Sequence, residues 1–262
     1  MAENGRVIRK QLYPSPNPEV VMHEVLYWSE GLRVKGLLAE PVKMGDYDGF
    51  LYLRGGIKGI GMVRPSRIAQ FAQQGFIVFA PYYRGNRGGE GNEDFAGNDR
   101  MDAVNGNIII RNHPSFSGAL HVFGFSRGGV MALLTGIEDQ SVTSIVTWNG
   151  VSDMVLTYRE RKDMRRMMKR VIGGSPSKSP EAYAWRTPLH EVSKIKCPVL
   201  IIHGEQDDNV SPEHAYQLEE KLKEHDKPVE SWYHQTYDHM YPPLDNIATV
   251  KKLTAWMKQQ RR

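Results

Sequence analysis

Ser126 sits in the run Gly124-Phe-Ser-Arg-Gly128, between the apolar stretch Leu120 to Phe125 and a segment opening on Gly128, Gly129 and Val130. A strand that turns sharply into a helix through Gly-x-Ser-x-Gly holds a serine hydroxyl on an exposed corner, where it can attack a carbonyl carbon. Side chains two positions either side of the serine would collide with neighbouring backbone, which accounts for the glycines. The helix that follows presents amides with no intrahelical acceptor, so the Arg127 N–H is a candidate donor to the oxyanion formed by that attack. A serine hydroxyl is a weak nucleophile until a base takes its proton, and an imidazole keeps the right tautomer when a carboxylate accepts its other N–H.

The segment Pro198-Val-Leu-Ile-Ile-His-Gly-Glu-Gln-Asp-Asp-Asn-Val210 reads as a buried strand ending in a turn that projects Asp207 and Asp208. Sites of this kind supply their parts in the order serine, acid, histidine. Asp207, four residues after His203 and with Val210 spaced to anchor the loop, is the expected acid; Asp208 and, more remotely, Asp153 are the alternatives. After the last expected strand, Val229 to Tyr233, comes His234-Gln-Thr-Tyr-Asp-His-Met-Tyr-Pro-Pro243. His239 lies clear of the strand end and is the expected base, whereas His234 abuts the strand and should pack beside it. Leu51-Tyr-Leu-Arg-Gly-Gly-Ile-Lys-Gly-Ile-Gly61 follows another strand, and its glycines can bring a backbone amide beside the nucleophile. Arg54 and Gly55 are therefore candidates for the second oxyanion donor, a plain turn being the alternative. No Gly-Lys-Ser/Thr closes this loop, so it does not read as a phosphate cradle.

The elements that must position these residues follow from periodicity. A hairpin, Val20 to Trp28 and Leu32 to Ala39, precedes short apolar runs at Phe50–Leu53, Phe76–Ala80, Leu120–Phe125, Ser144–Trp148, Val199–His203 and Val229–Tyr233. Helical patterns alternate with them at Pro65–Gln74, Asp99–Asn112, Arg127–Gly136, Arg159–Val171, Pro212–His225 and Ile247–Gln260, with Ser211 as a natural N-cap. Continuous apolar strands alternating with helices describe a mostly parallel sheet buried on both faces. The expected class is α/β: an α/β-hydrolase fold, an eight-stranded, mostly parallel, doubly wound sheet with helices on both faces. Its chemistry should gather in the loops beyond the carboxyl ends of the strands. One domain is expected over 1–262, with 1–18 as an N-terminal extension and about 150–190 as a candidate cap segment.

The remaining residues narrow the function. The net charge of +4 comes from 34 Lys and Arg against 30 Asp and Glu, both signs being interspersed. The most basic stretch, Arg159 to Arg170, carries Met164, Met167 and Met168 at helical spacing, which suits a solvated helix with a methionine underside or part of a cap over the site mouth. No recognised nucleic-acid motif accompanies it. There is no paired-cysteine or His-Glu-x-x-His pattern, so neither a metal nor another cofactor is expected. Ser175-Pro-Ser-Lys178 matches Ser-x-x-Lys, but the companion elements of that chemistry are missing. Cys197, the single cysteine, allows no intrachain disulfide and reads as a small apolar filler. No run approaches the ~20 apolar residues of a membrane helix, and a cytoplasmic location is expected. The expected partner is a small-molecule or short peptide substrate, not a nucleic acid or a membrane.

Taken together, Gly-Phe-Ser-Arg-Gly-Gly129, Tyr82-Tyr-Arg-Gly-Asn-Arg-Gly-Gly-Glu-Gly91, Thr187-Pro-Leu189 and the run from His203-Gly204 to Asp207 and Val210 resemble the catalytic domain of the prolyl oligopeptidase family of serine peptidases. The resemblance covers the chain from about Val20 onward. It implies cleavage of peptide bonds through an acyl-enzyme on Ser126, with Asp207 as the acid rather than Asp208 and His239 as the base. This chain departs from that family in carrying Arg54 where members place a tyrosine whose hydroxyl helps hold the oxyanion, and Asp-His-Met240 where Asp-His-Gly is common. It also has no room for the β-propeller that many members carry, which keeps a carboxylesterase acting on small esters as the alternative, and a non-catalytic binding protein as the more remote one.

Overall fold

Among the described residues, nine strands form one sheet in the order β1-β2-β3-β5-β4-β6-β7-β8-β9. The computed structural model describes residues 3–261. The strands are β1 (Val7–Tyr13), β2 (Val20–Ser29), β3 (Leu32–Pro41), β4 (Tyr47–Leu53), β5 (Phe76–Pro81), β6 (Phe116–Phe125), β7 (Ser144–Trp148), β8 (Val199–Gly204) and β9 (Val229–His234). From β5 to β9 across the sheet all pairs are parallel; β1, β2 and β3 join antiparallel at one side. The helices are α1 (Pro65–Ala72), α2 (Arg100–Arg111), α3 (Gly128–Glu138), α4 (Met154–Glu160), α5 (Arg165–Ile172), α6 (Pro180–Ala184), α7 (Glu213–Glu224) and α8 (Pro243–Gln259).

Successive strand residues point to opposite faces, and here both faces are apolar, so β5, β7 and β8 are buried at every position. Leu51, Leu53 and Val122 pack on one side with Ala103 and Ile110 of α2 and Val130 and Leu133 of α3. Phe50, Phe123 and Trp148 pack on the other with Phe71 of α1 and Leu253 and Met257 of α8. Phe50 stacks on Phe71 at 4.4 Å between ring centres and lies 5.7 Å from Phe123. Cys197 is buried in the first of these cores, as its apolar neighbours suggest.

Three expectations need correction. The sheet has nine strands rather than eight, because the segment read as an N-terminal extension contains β1. That strand lies at the sheet edge with six of its seven residues exposed, so it carries no alternation for the sequence to reveal. The basic stretch is not one helix over 159–171: Arg161 leaves helical geometry (φ −90°, ψ 75°), and a 3₁₀ turn over Lys162–Met164 separates α4 from α5. Ser211 does not cap α7; its hydroxyl donates to Glu160 Oε1 at 2.6 Å. Among the described residues, no helix is long and apolar enough to cross a membrane.

Candidate active site

β5 and β6 lie on opposite sides of β4, so the chain reverses its winding at β4 and opens a crevice above the carboxyl ends of β4 and β6. Register then delivers the site. Leu53 pairs with Gly124, Phe125 with Trp148, Trp148 with Ile202, and Gly204 with His234. Arg54, Ser126, Asn149, the Glu205–Asp207 turn and the His239 loop therefore leave the sheet side by side.

Ser126 has φ +56°, a left-handed conformation that costs an L-residue energy and is found where packing enforces it. The enforcement is visible at the flanking glycines: a Cβ on Gly124 would stand 2.0 Å from the Gly128 carbonyl oxygen, and one on Gly128 would stand 2.0 Å from that of Leu53. Ser126 N–H donates to Trp148 O, and its carbonyl accepts from Gly129 and Val151, fixing the corner from both sides. A Cβ on Gly55 would meet Ser126 Cβ at 2.8 Å and Oγ at 3.2 Å, so the loop after β4 presses directly on Ser126. Arg127 is the N-cap of α3, and its amide lies outside the intrahelical ladder.

Asp207 is buried, and its two oxygens are divided between two tasks. Oδ1 accepts from the amides of Asn209 (2.8 Å) and Val210 (2.9 Å), which sets the turn; Oδ2 lies 2.7 Å from His239 Nδ1. With Nδ1 taken by the carboxylate, Nε2 is the nitrogen His239 has left for a serine proton. Asp208 is exposed, and Asp153 caps α4 by accepting from Val155 and Leu156, so neither reaches the histidine. His234 stacks on Tyr237, 5.0 Å between centres. His203 Nε2 is bound to Val210 O at 2.9 Å, and burial lowers its pKa, leaving it a structural tie for the turn. Burial likewise takes His214 down to about 3, and the neutral ring accepts the Ser152 amide at Nδ1.

Two residues that the sequence does not advertise complete the frame. Asn149, buried at φ +45°, donates through Nδ2 to the carbonyls of Asp238 (3.1 Å) and His239 (3.0 Å), while its Oδ1 accepts Gly204 N–H (2.9 Å). It thus clips the His239 loop to the end of β8, the strand that leads into Asp207. Glu93 accepts from both Arg54 and Arg127. The Arg54 guanidinium, 1% exposed, is committed to Glu93, Tyr82 O and Gly55 O, so it is not a side-chain donor to the oxyanion as the tyrosine of the resembled family is.

Ser126, Arg127, Gly55 and His239 line one cavity of about 420 Å³. Its apolar lining includes Ile57, Phe95, Val151, Met164 and Met167, and Arg161 and Asp163 stand among its polar lining. Met164 and Met167 come from the segment that the sequence marks as a candidate cap.

A family model described as the prolyl oligopeptidase family matches residues 62–262. The chain belongs to the prolyl oligopeptidase family. It is 60% identical over 256 residues to the uncharacterized peptidase YtmA of Bacillus subtilis (strain 168), covering 97% of this chain and 100% of that protein. Identity to the uncharacterized peptidase YuxL of the same organism is 25% over 283 residues, covering 98% of this chain and 41% of that protein. Among solved structures, acylaminoacyl peptidase of Pyrococcus horikoshii superposes with a TM-score of 0.77 at 18% identity, covering 96% of this chain and 50% of that one. Acetyl xylan esterase from Paenibacillus sp. R4 superposes at 0.74 and 17% identity, covering 94% of this chain and 88% of the esterase. At those identities the structural likeness establishes the shared α/β-hydrolase fold. This member of the family is a serine hydrolase of the class that cleaves peptide or ester bonds.

Proposed function

We propose that this hydrolase cleaves amide bonds in short peptides or aminoacyl compounds carrying a modest apolar group, with Ser126, His239 and Asp207 as the catalytic residues. The observation that carries the reading is the 2.7 Å contact of His239 Nδ1 with Asp207 Oδ2, on a ring that shares one cavity with the strained Ser126. His239 Nε2 takes the Ser126 proton as Oγ attacks the carbonyl carbon. The resulting oxyanion accepts from the Arg127 amide and from an amide of the Gly55 loop, donors already fixed before charge develops. His239⁺ then passes its proton to the leaving amine, and water repeats the sequence on the acyl-enzyme. The Asp207 carboxylate, held by two amides, stabilises the imidazolium without taking the proton.

The preference for amides rests on the family and on the peptidase name of the 60% identical relative. Ester cleavage is the second reading, favoured by an acetyl xylan esterase that matches over 88% of its own length. Comparing kcat/KM on aminoacyl anilides and on aryl esters of the same acyl group tests the choice. An anilide rate below one hundredth of what the ester's better leaving group alone explains would transfer the assignment to an esterase.

A further inference from the structure

Glu93 lies on no strand or helix, yet its carboxylate is 1% exposed and is the meeting point of the parts that surround Ser126. Oε1 accepts from Arg127 Nη2 and, at 3.2 Å, from Arg54 Nη2. Oε2 accepts from Arg54 Nη2 (3.1 Å), the Lys58 amide (2.8 Å) and Asn86 Nδ2 (2.9 Å). One carboxylate therefore binds the elbow through Arg127, the start and the middle of the glycine loop through Arg54 and Lys58, and the loop after β5 through Asn86. Arg54 relays the hold to the glycine loop itself, donating to Gly55 O at 2.9 Å and Ile60 O at 3.3 Å.

We propose that Glu93 is the positioning residue of the oxyanion site, setting the Gly55 loop against the Arg127 amide so that both donors converge on one point. This rests on the reading of Ser126 as nucleophile.

A carboxylate with no such task would be an expensive occupant of this position, since burying it alone disfavours its charged form. Burial does push Glu93 up, but the Arg127 and Arg54 guanidiniums outweigh it and hold the carboxyl below its usual range, so it is ionised. Each arginine also faces the Tyr83 ring, Arg54 at 5.1 Å and Arg127 at 4.8 Å from its centre, and Arg127 donates to Asp99 Oδ2 at 3.3 Å. The backbone around the carboxylate is constrained too: Tyr83, Phe95 and Ala96 all have left-handed φ (+64°, +60°, +67°), and Phe95 lines the cavity. Strain of this kind persists only where surrounding contacts over-determine it, and it concentrates at functional sites.

The geometry separates a positioning role from a merely supportive one. Loss of an oxyanion donor affects the transition state and leaves ground-state binding alone, so kcat should fall while KM holds. The experiment uses the full chain with Glu93→Gln, Arg54→Lys, their double variant and Ser126→Ala, assayed on an aryl ester and an aminoacyl anilide. Inhibition by a trifluoromethyl ketone, whose hemiketal carries the oxyanion, is measured beside the thermal midpoint. Expected are a kcat about 10²-fold lower in each single variant, KM within about threefold, ketone affinity falling in step with kcat, and a double variant no worse than about threefold below either single one. If Glu93→Gln does not fold, Arg54→Lys alone decides the matter by the same kcat and ketone criteria. A folded variant with kcat within threefold of the parent, or one whose KM rises while ketone affinity stays, overturns the inference. Ser126→Ala keeps the two readings apart: full activity there removes the nucleophile, whereas an inactive Ser126→Ala beside an unimpaired Glu93→Gln removes only the role of Glu93.

Discussion

Adding one methyl group at Gly204 should separate activity from stability. Gly204 is the last residue of β8, buried, and a Cβ there would stand 2.3 Å from the Tyr237 carbonyl oxygen and 2.8 Å from that of Asp238. Those carbonyls belong to the loop that carries His239. Bringing the nearer contact out to the 3.4 Å of ordinary packing requires a shift of about 1.1 Å, and β8, paired on both sides, cannot supply it. The loop must move, and with it the 2.7 Å contact to Asp207 and the clip from Asn149. A displacement of that size costs about 10²-fold in rate when it falls on a reacting group. The overpacking itself costs about 1–3 kcal/mol, which for a chain of this size lowers the thermal midpoint by about 2–12 °C and leaves the protein folded at assay temperature. Gly204→Ala should therefore lose roughly two orders of magnitude in kcat/KM while its circular dichroism spectrum stays that of the parent. Wild-type kcat/KM in Gly204→Ala would refute the view that this loop is positioned to within an ångström.

Asp207→Asn can keep both amide bonds through its remaining oxygen while turning an N–H toward His239, forcing the wrong tautomer; kcat should drop about 10³–10⁴-fold with an unchanged fold, and a loss under tenfold would contradict the role of Asp207. Met167→Ala should enlarge the cavity and move the optimum toward bulkier apolar groups, read as a reversal of kcat/KM order along a series of aminoacyl anilides; an unchanged order would remove this methionine from the specificity wall. Burial pushes the Asp99 carboxyl up to about 8, opposed by Arg127 and reinforced by Asp94 and Glu93. Because the folded value lies above the unfolded one, Asp99 lends stability at low pH that is lost as pH rises toward 8. Relative to Asp99→Asn, the parent should lose about 1.4 kcal/mol per pH unit within that window; denaturation at pH 5 and pH 7 showing a constant difference would contradict it.

How much of this was legible in the sequence depended on whether the signal was local. Ser126, Asp207 and His239 each follow an apolar strand directly, so the strand end, the turn and the polar residue can be read from one window. The strands at the centre of the sheet are legible for the same reason, β5, β7 and β8 being buried at every position. Asn149 escapes that reading because its partners lie 55 to 90 residues away along the chain, and Glu93 because the partners that tie it to the Ser126 corner and the glycine loop, Arg127, Lys58 and Arg54, lie 34 to 39 residues away. β1 was missed because an edge strand with two wet faces has no pattern to show. The division of the basic stretch was missed because Arg161 ends α4 while donating to Asn209 O and Asp163, a tertiary choice that helical propensity cannot anticipate.

The most direct test of the central claim is covalent. Folded protein treated with a fluorophosphonate at neutral pH and mapped by peptide mass spectrometry should carry one adduct, on Ser126, formed at a rate that falls sharply in His239→Ala. An unlabelled protein, or an adduct on another residue with Ser126 untouched, would contradict the account at its root.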